Sequence, residues 1–281
     1  MIPLSPHNFM KTLLASASLL LSVATPLQAE DAPLAKKALI GFEFQISDTN
    51  EHLETLIRNS DLALRLDEFV GKNLTVAQPL TYYFADESSD TRAQPTQIAI
   101  SYRMLNAAYQ SILDKHPLQS DVQEQHFRQV VEYVIWREFG RTLFSQNASL
   151  LATPADETVL DQFAMIMLMH QPDPGEQFRL DAIETFLVTD SQRTLPKDSA
   201  FKTEIEFDEH RYRQMVCLVL GADYQPTEGM VEELVWDAEK QKQCSESYRQ
   251  ALDHWLKTLT PVLKADNQLQ QWRFNPQKAQ E

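Results

Sequence analysis

Residues 122–144 repeat apolar side chains every three or four positions, as an amphipathic helix does, but the repeat passes through two arginines. Val130, Val134, Arg137, Arg141 and Phe144 fall on one face, so the side of the helix that should meet a core carries two permanent cations. An unpaired buried charge costs several kcal/mol, so this face can be buried only if carboxylates come to it. Residues 156–169 offer them. Glu157, Asp161, Ala164 and Leu168 also share a stripe, and two acids four residues apart match two arginines four residues apart. Glu138 lies about 100° round from Arg137, at the edge of the face. The pattern predicts a buried or half-buried cluster of Arg137, Arg141, Glu138, Glu157 and Asp161, in which the planar arginine fork binds carboxylates through parallel hydrogen bonds. A plainer reading stays open, in which the charges are solvated at a helix edge and the long stems cover apolar neighbours.

The rest of the chain supports a mostly helical α+β fold. Only 6 glycines occur in 281 residues, and long stretches have helical period. Near the N-terminus, "ALIGFEFQIS" alternates Phe42, Phe44 and Ile46 with Glu43 and Gln45, as a half-buried strand does. Residues 80–85 and 97–102 read as two more strands around the polar loop "DESSDTRAQP", giving a small antiparallel or mixed sheet. Helices are expected at 51–70, 104–113, 122–144, 156–169, 180–188 and 210–220, and over 228–262 with breaks. In the last of these, Cys244, Tyr248, Leu252, Trp255 and Leu259 form one apolar stripe. The stretch after Lys264 is polar and expected to be loose.

The first 29 residues read as a secretory signal peptide: a lysine, a short apolar run broken by Ser and Thr, and a small residue at Ala29. The run is too short and polar for a good membrane span, so no stable membrane insertion is expected after cleavage. Residues 30–263 then form one domain and 264–281 a tail. Against 25 Lys and Arg stand 40 Asp and Glu, a net charge of −15, and removing the leader makes the chain one unit more negative. Such a surface repels nucleic acid and anionic lipid. Cys217 and Cys244 are the two cysteines of a chain addressed to an oxidising compartment, and pairing is expected. A bridge there would stabilise the fold by roughly 3–4 kcal/mol in the chain-entropy view.

"REFGR", residues 137–141, has the frame of H-E-x-x-H, in which two histidines one helical turn apart bind zinc and the glutamate activates the metal-bound water. The following "DETVLDQFA" carries E-x-x-x-D in Glu157 and Asp161. Together with "QIAISYRML", "FDEHRYRQMVCLVLGAD" and "KQCSESYRQALDHW", these segments resemble a group of secreted bacterial zinc metallopeptidases, of the thermolysin-like glutamate-ligand type, filed as a domain of unknown function. The resemblance spans about residues 80–263 and implies a zincin-like fold. It places the general base at Glu138, the third zinc ligand at Glu157 and, at Asp161, the carboxylate that orients a ligating histidine. The two histidine ligands fall on Arg137 and Arg141. Guanidinium has no available lone pair and stays protonated, so neither can coordinate zinc. By the same resemblance Ser101 stands where the family carries a cysteine, and a histidine that stabilises the oxyanion falls near Ile205 or His210.

Other polar residues read as structural. His126 and His170 flank the two motif helices, but His126 is about three turns from Arg137. His210 looks like part of a polar helix start and His254 like a surface position. Met165, Met167 and Met169 read as core packing, and Ser145 and Ser149 lack a nucleophile's surroundings. The expectation is an exported protein, periplasmic or secreted, of a metallopeptidase family, without a cofactor. Its metal site would be degenerate, and it would bind a peptide or protein without cleaving it. Two alternatives are an active hydrolase using a non-standard site and a structural interaction module of the cell envelope.

Overall fold

A computed structural model describes residues 38–45, 49–86, 96–147, 150, 156–170, 201–222 and 237–269, with the side chains of the helix at 201–221 described from residue 211 onward. Its elements are β1 (Ile40–Phe44), α1 (Glu51–Asn59), α2 (Leu62–Asn73), β2 (Leu80–Ala85), β3 (Gln97–Ser101), α3 (Tyr102–Lys115), α4 (Ser120–Gln146), α5 (Glu157–Met169), α6 (Phe201–Gly221) and α7 (Ala238–Leu259). The fold class is α+β, mostly helical with a small N-terminal sheet.

The three strands alternate as expected: Ile40, Tyr82, Phe84, Ile98 and Ile100 are buried, and Phe42 and Phe44 pack on them, with Phe44 stacked on Phe84 at 4.9 Å. Their direction corrects the sequence reading. The order is β1-β2-β3 and both pairs are parallel, with Phe42 opposite Tyr82 and Phe84 opposite Ile100. Between β1 and β2 the return is made by two helices, the crossover parallel strands require. Between β2 and β3 the eleven residues 86–96 reach about 36 Å when extended, enough to come back along a strand of about 17 Å.

The helix expected at 51–70 is two helices. Ser60 Oγ donates to the Ile57 carbonyl and Asp61 takes φ 53°, a left-handed conformation that short polar side chains tolerate, so the chain turns before α2 begins. α6 begins nine residues earlier than expected, and the helix expected at 180–188 lies outside the described residues.

Helix α4 is the central element. Every residue from Gln129 to Arg137 is buried, so this part has no solvent face, unlike the one-sided helix its apolar period suggested. Tyr82 Oη donates to the Ile135 carbonyl at 3.2 Å and anchors α4 to the sheet. On the other side α4 lies close against α5, because Gly140 has no side chain: a Cβ there would sit 2.6 Å from the Phe163 ring. The expected stripe of α7 is buried, with Trp255 stacked on Phe144 at 5.4 Å and its indole N–H donating to Gln162 at 3.1 Å.

Cys217 and Cys244 are bonded, tying α6 to α7. The chain after Lys264, expected to be loose, is tied down as far as Leu269. Lys264 N donates to the Asn73 carbonyl at 3.0 Å, Gln268 N to Asn73 Oδ1 at 2.8 Å, and Leu269 is fully buried. Among the described residues no helix is long and apolar enough to cross a membrane.

Candidate functional site: an ion cluster on the motif helix

The arginine face of α4 meets the acidic face of α5. Arg137 donates from Nε to Asp161 Oδ1 at 2.6 Å and from Nη2 to Glu157 Oε2. Arg141, one turn on, donates from Nε to Glu138 at 3.1 Å and from Nη2 to Glu157 Oε1 at 3.1 Å. All five residues predicted from spacing are therefore brought together, and Glu157 is shared by both arginines. Asp156 caps α5, accepting from Val159 N at 2.9 Å, and so fixes where that helix starts and which acids it presents.

Two members were not anticipated. Tyr133, one turn before Arg137, donates its hydroxyl to Asp161 Oδ1 at 2.9 Å. Arg211, from α6, donates Nε to Asp161 Oδ2 at 2.7 Å. The same four-residue spacing that selects Arg137 and Arg141 also selects Tyr133. Nothing in the sequence signals that α6 crosses α5 at Asp161.

The cluster is graded by depth. The Asp161 side chain is 0% exposed, that of Arg137 5% and that of Arg211 4%, whereas Glu157 and Arg141 are 43% and 45% exposed. Burial alone would lower the pKa of Arg137, but Asp161, Tyr133 and Glu157 outweigh it and hold the guanidinium more firmly protonated than usual. Burial would raise Glu157, but Arg137 and Arg141 hold its carboxyl below the usual range. Burial, and then the Asp161 charge, push the Tyr133 phenol well up, so it stays a neutral donor. Both carboxylate oxygens of Asp161 are occupied, Oδ1 by Tyr133 and Arg137 and Oδ2 by Arg211.

The remaining candidates lie elsewhere. His126 is buried near His116, with ring centroids 5.8 Å apart, and His170 Nε2 meets Tyr248 Oη at 2.8 Å. His254 is exposed against Trp255, Ser145 bonds back to the Thr142 carbonyl, and Met165 and Met167 are core. Ser101 is the N-cap of α3, accepting from Met104 N at 3.4 Å. Ser149 and the side chains of Ile205 and His210 lie outside the described residues. Among the described residues no three His, Cys, Asp or Glu side chains are grouped so as to hold a metal.

Residues 44–259 match the family model described as "Putative metallopeptidase". The chain belongs to this family. The matched span takes in the REFGR helix, the acidic helix α5 and both cysteines. Searches of the curated proteins and of the solved structures found no match.

Proposed function

We propose that this chain is an exported, non-catalytic member of its metallopeptidase family that binds a peptide or protein, its zinc site replaced by an ion cluster. The observation that carries the reading is the pairing of Arg137 and Arg141 with Glu157. By resemblance these are the positions of two histidine ligands and the glutamate ligand of a thermolysin-like site.

The residues present do not fit zinc. Two of the three ligand positions hold guanidinium, which offers no lone pair, and the third has both oxygens accepting from arginine. Glu138, at the general-base position, accepts from Arg141 Nε. A leader-like N-terminus and a disulfide support export. For ligand binding the support is β3, an outer strand of the described sheet that contacts α4, beside which an extended peptide would add as a further strand.

The test is peptide cleavage by purified protein with added zinc and with chelator, beside Glu138→Gln and the double reversion Arg137→His/Arg141→His. The wild type is expected to be inactive in both conditions, and the reversion to gain zinc binding. Zinc-dependent turnover by the wild type that disappears in Glu138→Gln would overturn the reading.

A further inference from the structure

We infer that Asp161 is the hub of a metal-independent cross-link joining α4, α5 and α6, so that the fold stands without any divalent cation at the family's metal position. The inference rests on the functional reading for the identity of that position, and on the following geometry for the rest.

Asp161 is buried on α5 and takes hydrogen bonds from Tyr133 and Arg137 of α4 and from Arg211 of α6. One carboxylate therefore holds a side chain from each of two neighbouring helices and a second one from α4. Two guanidiniums around one carboxylate would leave an uncompensated positive charge in the interior. Glu157, one turn back on α5, reaches Arg137 from the outer side and brings the four charged groups to neutrality. Arg141 and Glu138 then form their own neutral pair at the rim.

A divalent ion entering this set would meet two permanent cations and carboxylate oxygens already in use, so it would have to break the inner bonds to bind. The resemblance gives Asp161 the task of orienting a ligand; here the same carboxylate holds the arginine at that ligand's position. Arginine suits this role where lysine would not, because Arg137 contacts two different carboxylates with two arms of one rigid plane.

The experiment is thermal unfolding of the full mature chain after exhaustive chelation and again with added zinc. Each midpoint is expected within about 1 °C of the untreated protein. Asp161→Asn, which leaves Arg137 and Arg211 facing an amide, is expected to lower the midpoint by roughly 10 °C. If that variant does not fold, Arg137→Lys and Arg141→Lys decide the matter: the first is expected to lower the midpoint by several degrees and the second by no more than about 1 °C. A drop of several degrees on chelation overturns the inference, as does an Asp161→Asn midpoint equal to that of the wild type, or equal shifts for the two lysine variants. Failure here is read in the midpoint, whereas failure of the functional reading is read in peptide cleavage.

Discussion

Arg137 and Arg141 differ by one helical turn, and among the described residues each pairs with two carboxylates: Glu157 and Asp161 for the first, Glu138 and Glu157 for the second. Their surroundings are unlike. The first is 5% exposed and locked between helices, the second 45% exposed at the rim. A tally of ion pairs would rank them as equals. Burial separates them, because a desolvated charge that loses its partner has no water to turn to, whereas an exposed one is rehydrated at little cost.

Four measurements would sharpen or break this contrast. The largest expected effect is at Arg211→Met, which removes a buried partner of Asp161 and should cost about 3–5 kcal/mol in denaturant unfolding; a loss under 1 kcal/mol would put the inner tier on the same footing as the rim. Next is Gly140→Ala. The added methyl meets a Phe163 ring that is already packed among Phe139, Phe144 and Trp255. Overpacking of about 2–3 kcal/mol, the upper part of the usual range because the contact is as close as 2.6 Å, offset by roughly 1 kcal/mol of helix propensity, leaves a net loss of about 1–2 kcal/mol. Unchanged or improved stability would mean that the α4–α5 spacing is softer than described. Arg141→Ala should cost well under 1 kcal/mol, and a larger loss would move Arg141 into the inner tier.

The smallest effect is in acid. Glu157 has a lowered folded-state pKa, so its contribution is fully present above the ordinary carboxylate value and is lost as pH falls through the lowered one. Between pH 7 and pH 5 the Glu157→Gln and wild-type proteins should therefore keep a constant stability difference, which shrinks below about pH 4. A difference that changes across neutral pH would contradict the assignment.

The sequence was most informative where periodicity and charge coincide. Helical spacing alone selected both faces of the cluster, because i,i+4 neighbours share a face whatever surrounds them, and Glu157 and Asp161 meet the arginines as that spacing implied. The buried stripe of α7 and the Cys217–Cys244 bond were legible for similar reasons. Tertiary choices were not. Strand direction in so short a sheet depends on where the connections run, which the alternation of Phe42 and Phe44 does not encode. The break at Asp61 interrupts an apolar period that continues on both sides of it. Arg211 looks like any charged helix residue until α6 is laid across α5.

The clasp between Asn73 and residues 264–269 has a consequence for how the molecule is made. The last turn of α2 obtains part of its hydrogen bonding from chain almost 200 positions downstream, Gln268 N being 195 residues from Asn73. During synthesis from the N-terminus, that end of α2 lacks these bonds until residues 264–269 have left the ribosome. Closure of that end of α2 therefore waits on residues far along the chain from the helix they complete.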